Sequence, residues 1–133
     1  MKKPYLIDFP AFGIPETGYL SVAENTHYLP FVIKRVFWSY DIPENAIRGE
    51  HAHYQTEQIL IALIGKIIVT TEQGNGEIEE FVLDNPTQGV YLPPNVWHNM
   101  QYSESAVQIV LTSFPYHESD YIRSHEKFKE IYT

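Results

Sequence analysis

The 133-residue chain has no cysteine. That absence removes disulfides, a thiolate nucleophile and sulfur-rich zinc sites, and it is compatible with a reducing cytoplasm. No apolar run approaches the roughly 20 residues that a membrane helix needs. The first residues carry Lys2 and Lys3, but their apolar run ends at Asp8, too early for a signal peptide. A soluble cytoplasmic protein is therefore expected. Positive charge is also scarce, with 9 Lys and Arg against 17 Asp and Glu and a formal net charge of −8. This disfavours broad attraction to nucleic acid or to an anionic membrane surface. It leaves room for a small anion, because Lys34, Arg35 and Arg48 flank the aromatic and histidine-rich segments. With no internal repeat, low-complexity stretch or linker, residues 1–133 read as one domain of a size that buries its own core.

What is present are short runs rich in β-branched and aromatic residues, broken by Gly, Pro and Asn, the pattern of an all-β sandwich or barrel. Strands are expected near Tyr5–Phe9, Tyr19–Ala23, Phe31–Tyr40, Ile47–His53, Gln58–Ile64, Lys66–Glu72, Ile78–Leu83, Gly89–Leu92, Trp97–Tyr102 and Ala106–Phe114. Gln73-Gly74-Asn75-Gly76 reads as a hairpin turn, since Asn-Gly tolerates positive φ, so the strands around it pair antiparallel. Asp8–Glu16, rich in Pro and Gly, reads as an arm between strands. Only His117–Tyr132 looks helical, with Tyr121, Ile122, His125, Phe128 and Ile131 in a broken three-to-four-residue rhythm. An edge left open at the N-terminal arm is a liability that a symmetric homodimer covers.

Side chains alternate along a strand, so His51 and His53 enter one cavity together while Arg48, Glu50 and Ala52 face away, unless a bulge intervenes. His98 follows the stiff turn Pro93-Pro94, which returns it toward the same barrel mouth. A lone histidine is more often a surface or core residue. A closely spaced pair with a turn-anchored third points to function.

This trio resembles the cupin superfamily, in which a His-x-His pair, a Glu and a later His bind a divalent metal. Gln58 stands at the family's Glu position and Glu57 is one residue off. An amide oxygen is a weak substitute for a carboxylate, so neither a metal nor any other cofactor is expected. The flanking runs narrow the resemblance: Ile33–Trp38, Arg48-Gly49-x-His51-Ala52-His53, Glu57–Leu60, Gly89–Leu92, Val96-Trp97-His98 and Glu118–Arg123. Together they resemble the nucleotide-linked 4-keto-6-deoxyhexose 3,4-ketoisomerases, over roughly Gly18 to Phe128. The resemblance implies a cupin-type antiparallel β-barrel (jelly roll) with a short C-terminal helix and a dTDP-linked 4-keto-6-deoxyglucose as substrate. It also implies a homodimer whose partners exchange N-terminal strands.

Moving a carbonyl from C4 to C3 needs a base at C3 and an acid at C4, and histidine serves both near neutrality. His51 is the expected base and His53 its partner, orienting the sugar or shuttling a proton between oxygens. In the family, a histidine at the place of His98 accompanies the galacto product, whereas Thr17 matches neither residue usual at a second product-linked position. Arg48 and Arg35 are candidates for the pyrophosphate, because guanidinium forks pair with phosphate oxygens. Trp97 and Tyr91 are candidates to stack on thymine or sugar, although aromatics of a barrel wall are commoner. Trp38 and Tyr54 stand where the family usually has Tyr and Lys, and Tyr40 is the candidate to supply a hydroxyl beside Trp38. The competing readings are a metal-dependent cupin enzyme and a non-catalytic sugar-binding module.

Overall fold

A computed structural model describes residues 2–25, 27 and 29–132. Its elements are β1 (Tyr5–Asp8), β2 (Ala11–Ile14), β3 (Gly18–Ser21), β4 (Arg35–Ser39), β5 (Ile47–His53), β6 (Gln58–Ile64), β7 (Ile67–Gln73), β8 (Ile78–Leu83), β9 (Gln88–Leu92), β10 (Val96–Tyr102), β11 (Val107–Thr112), β12 (Tyr121–Ile122) and α1 (His125–Tyr132). Two five-stranded sheets, ordered β1-β9-β6-β11-β4 and β12-β5-β10-β7-β8, enclose the core, and β2 and β3 form a separate hairpin. The pairings are antiparallel. The chain is thus the expected all-β, jelly-roll type of fold with one short C-terminal helix.

Alternation builds the layers. In β7 and β10 every second side chain is buried, and the inward residues Leu60, Val69, Val90 and Val110 meet between the sheets. A second apolar cluster lies on the outer face of the first sheet, where Ile59, Ile61, Tyr91 and Leu111 are covered by Phe9, Leu29, Phe31 and Ile33. A third holds α1 on the outside of the second sheet through Ala52, Ile122 and Phe128. Ser124 caps α1 by accepting the Lys127 N–H at 3.2 Å.

Three expectations need correction. The helix read over His117–Tyr132 is confined to His125–Tyr132. Glu118–Asp120 is one 3₁₀ turn, and Tyr121 and Ile122 pair with His53 and Ala52 of β5. The carboxylate of Asp120 causes this: it accepts the N–H groups of Gln55 (2.8 Å) and Thr56 (3.1 Å), which ties the segment to the end of β5. The arm over Asp8–Glu16 contains the strand β2, paired with β3. The strand read over Phe31–Tyr40 shrinks to Arg35–Ser39. Before it, the Ile33 N–H bonds the Asn25 side chain (2.9 Å), not a neighbouring strand. The hairpin at Gln73–Gly76 joins β7 and β8, and the residue in left-handed backbone is Gly76 (φ 89°), with Asn75 outside that region.

Candidate active site

The site begins with a fault in β5. His51 pairs with His98 of β10, yet the next β10 residue, Asn99, pairs with Gly49, so Glu50 is an extra residue in the ladder. Gly49 (φ 92°) and Glu50 (φ 55°) both take left-handed backbone to accommodate it. A Cβ on Gly49 would lie 3.1 Å from Met100 Sδ and 3.2 Å from the His98 carbonyl oxygen. The bulge inverts side-chain parity upstream of it. Arg48 therefore turns inward opposite Met100 and shares one cavity with His51, whereas regular alternation would have set it on the outer face.

That cavity, about 530 Å³, opens between the sheets and is lined by Arg35, Arg48, His51, Gln58, His98 and Gln108, among others. His51 is held by a 3.0 Å bond from Nδ1 to the Gly49 carbonyl. A carbonyl only accepts, so Nδ1 carries the proton and Nε2 keeps its lone pair. His98 repeats the arrangement toward the Val96 carbonyl at 3.3 Å. The three imidazoles pack as a cluster, with ring centroids 4.9 Å (His51–His53), 4.7 Å (His51–His98) and 6.3 Å (His53–His98) apart. Burial is the main force keeping all three neutral. It holds His51 below its ordinary 6.5, lowers His53 to about 4 with help from the nearby His51, and drives His98 well down. No group of three or more His, Cys, Asp or Glu among the described residues is placed to hold a metal ion.

Around these neutral bases the cavity is cationic. Arg35 lies over the rings of Phe37 (4.6 Å) and Tyr116 (5.1 Å). Arg123 sits over Tyr121 at 4.3 Å and grips Glu118 with two bonds of 2.6 and 2.9 Å. Arg123, then Tyr116, holds the Glu118 carboxyl down to about 2. Deeper in, the Tyr102 hydroxyl donates to Gln108 Oε1 at 2.6 Å, and burial pushes its pKa up to about 12. Gln58 Oε1 and Gln108 Nε2 are buried without a hydrogen-bond partner among the described residues. Both residues line the cavity, and such orphaned groups are costly unless a ligand or water satisfies them.

Residues 2–133 match the family model FdtA, described as WxcM-like, C-terminal. The chain belongs to this family. It is 42% identical over 118 residues to the TDP-4-oxo-6-deoxy-alpha-D-glucose-3,4-oxoisomerase of Aneurinibacillus thermoaerophilus, covering 88% of this chain and 84% of the relative. Two Campylobacter jejuni structures superpose along nearly the full length. The TDP-fucose-3,4-ketoisomerase has a TM-score of 0.91 at 30% identity, covering 99% of this chain and 97% of that one. The TDP-quinovose 3,4-ketoisomerase has a TM-score of 0.90 at 33% identity, covering 98% and 99%. The chain is accordingly an isomerase.

Within this isomerase the residues singled out from the sequence divide. Arg35, Arg48, His51, Gln58 and His98 line the cavity, and Trp38 stands at its rim, 61% exposed. His53 stands behind His51, only 4% exposed, with the Tyr121 ring 4.4 Å away. Like His53, four further residues lie outside the cavity lining. Trp97 has the opposite parity to His98 and packs on His125 and Phe128 of α1. Tyr91 faces outward from β9 and donates to Glu57 Oε1 at 2.5 Å. Tyr40 lies just past the end of β4, exposed. Thr17 is exposed in the β2–β3 turn.

Sequence reasoning missed Tyr102, Gln108, Asp120, Tyr121 and Arg123. The first two had a signal. Tyr102 is two positions beyond Met100 and four beyond His98, and Gln108 is a polar residue in the otherwise apolar run Val107–Leu111. The others fall in Glu118–Arg123, a run that carried the family resemblance but lay in the segment read as helix, where they would not have met β5.

Proposed function

We propose that the enzyme converts dTDP-4-keto-6-deoxyglucose to the dTDP-3-keto-6-deoxyhexose, with His51 as the proton carrier. The observation carrying this reading is the Nδ1 bond of His51 to the Gly49 carbonyl, which aims an unprotonated Nε2 at the cavity. The 42% identical relative is named for a TDP-4-oxo-6-deoxyglucose oxoisomerase, which supports the substrate class. The arginines Arg35, Arg48 and Arg123 around one cavity suit a pyrophosphate despite the overall negative charge.

The reaction is an internal redox exchange. His51 Nε2 takes the proton from C3, and the C–H electron pair forms the C3=C4 bond as the C4 carbonyl becomes an enolate oxygen. Protonation of that oxygen gives the enediol. His51 then returns its proton to C4 while O3 loses one, leaving the carbonyl at C3. Acid–base groups and hydrogen bonds suffice for these steps. His53, buried behind His51, acts through it and does not touch the sugar. A C3 carbonyl is what a transaminase consumes, consistent with supply of a 3-amino-deoxysugar pathway in the cytoplasm.

For the product's configuration, the histidine at position 98 favours galacto. Overall similarity is silent on this, because the fucose and quinovose enzymes, galacto and gluco respectively, are 30% and 33% identical to the chain. Thr17 reaches a cavity only if the β2–β3 hairpin crosses to a second copy, and we assign the protein as a homodimer built on that hairpin. The strand β1 pairs with β9 of its own chain, which supports β2–β3 as the proposed crossing element. Incubation with dTDP-4-keto-6-deoxyglucose in deuterated water, followed by NMR, reads both chemistry and configuration. A 3-keto sugar with deuterium at C4 in the axial galacto arrangement of O4 is expected. Binding without exchange at C3 would sink the enzymatic reading, and a gluco product the stereochemical one.

A further inference from the structure

We infer that Asp120 is a positioning residue for the histidine cluster, holding His53 in the Nδ1–H tautomer from beneath. The inference rests on the isomerase reading above and extends it to a residue outside the cavity lining. Asp120 is a buried carboxylate on the 3₁₀ turn that precedes β12. Its Oδ1 accepts the Gln55 N–H, and its Oδ2 accepts the N–H and the hydroxyl of Thr56. Its backbone carbonyl accepts the Tyr54 N–H at 2.9 Å. All these bonds fix the carboxylate beside His53, whose Nδ1 lies 3.5 Å from Oδ2.

Among the described residues, His53 otherwise lacks a hydrogen bond on either ring nitrogen. A carboxylate only accepts, so the Asp120 side favours a proton on Nδ1, leaving Nε2 as an acceptor on a ring that packs against His51, His98 and Tyr121. Asp120 also opposes the fall in His53 basicity that burial and His51 cause. When His51 becomes an imidazolium during turnover, the neighbouring ring is neutral and oriented, and a fixed negative charge lies behind it. The same arrangement in hydrolase triads orients a base and stabilises its cationic form. Here the carboxylate is one ring further from the chemistry. The segment it anchors also carries Tyr121, whose ring lies 5.0 Å from His51.

The test combines ring-nitrogen NMR of ¹⁵N-histidine-labelled protein with steady-state kinetics on wild type, Asp120→Asn and Thr56→Val. Wild-type His53 should show protonated Nδ1 and bare Nε2. In Asp120→Asn an amide N–H can face Nδ1, so the tautomer should mix or invert. kcat should fall about 10- to 100-fold, a modest share of what acid–base groups contribute, with KM changing less than about threefold. Thr56→Val removes a clamp but keeps the carboxylate, so its kcat should stay within about twofold of wild type. An Nε2–H tautomer in the wild type overturns the proposal, a result readable even if Asp120→Asn does not fold. Equal kcat losses in the two variants would overturn it too, as would an unchanged tautomer in Asp120→Asn. The NMR comparison needs no turnover. Absence of isomerisation by the wild type would therefore strike the functional reading while leaving Asp120 to be judged on the tautomer.

Discussion

His51 is poised by two opposed influences: burial lowers its affinity for a proton, and its bond to Gly49 partly restores it. A base must be unprotonated to act, so the sign of the pH dependence follows directly. Activity should be flat from neutrality upward and fall as pH drops through the lowered value. The acid-side midpoint of kcat/KM, which reports the free enzyme, is therefore expected below 6.5. His53 and His98 add no separate limb near neutrality, because burial keeps both neutral well below it. A pH–rate profile with its acid limb at or above 6.5 would contradict this placement of His51. Gln58 belongs to the same scale. Its side-chain oxygen is buried without a partner among the described residues, and the residue lines the cavity, which supports the proposal that this amide contacts the ligand.

The decisive element is the bulged strand β5. Its ends match the sequence reading to the residue, as do those of β6 and β8, since turn-forming residues such as Pro43, Gly65, Gly76 and Pro86 punctuate the chain between these segments. Its inner parity was not. Alternation rules assume a regular ladder, and the only clue to the extra residue was Gly49 between Arg48 and the histidines. The C-terminal segment failed differently. The apolar spacing at Tyr121, Ile122, His125 and Phe128 suits a helix and equally suits a strand followed by a helix, and what decides is a long-range bond from Asp120 to the end of β5. The bulge gives a sharp test. Gly49→Ala places a Cβ in left-handed backbone and within 3.1–3.3 Å of Met100 and β10 backbone atoms. A loss of about 1–3 kcal/mol of stability is expected in denaturant melts. kcat/KM should fall along with it, because Arg48 and His51 lose their shared face. A variant as stable and active as wild type would show that the bulge is dispensable.

At the scale of the whole molecule the unexplained surface is apolar. Phe12, Ile14, Tyr19 and Leu20 of the β2–β3 hairpin are all more than half exposed, as are Trp38 and Tyr40 at the β4 end. Water-exposed clusters of this kind mark interaction surfaces, and the proposed homodimer would cover this one with the same surface of a second copy. Light scattering on the eluting protein should give twice the 15.5 kDa chain mass, and Leu20→Glu should shift it toward the monomer. A wild type that runs as a monomer at micromolar concentration would remove the route by which Thr17 reaches an active site. No helix among the described residues is long and apolar enough to cross a membrane.

In the proposed reaction His51 carries the proton between C3 and C4. The most direct measurement is the rate at which the C3 hydrogen of dTDP-4-keto-6-deoxyglucose exchanges with deuterated water, compared between wild type and His51→Asn. The variant removes the base while leaving the arginines and Gln58 to bind. Wild type should wash out the C3 hydrogen and place deuterium at C4 as product forms. The variant should lose roughly 10²- to 10⁴-fold in that rate, the span of a general base, while still binding the nucleotide sugar. Exchange in His51→Asn within a few-fold of wild type would contradict this role of His51.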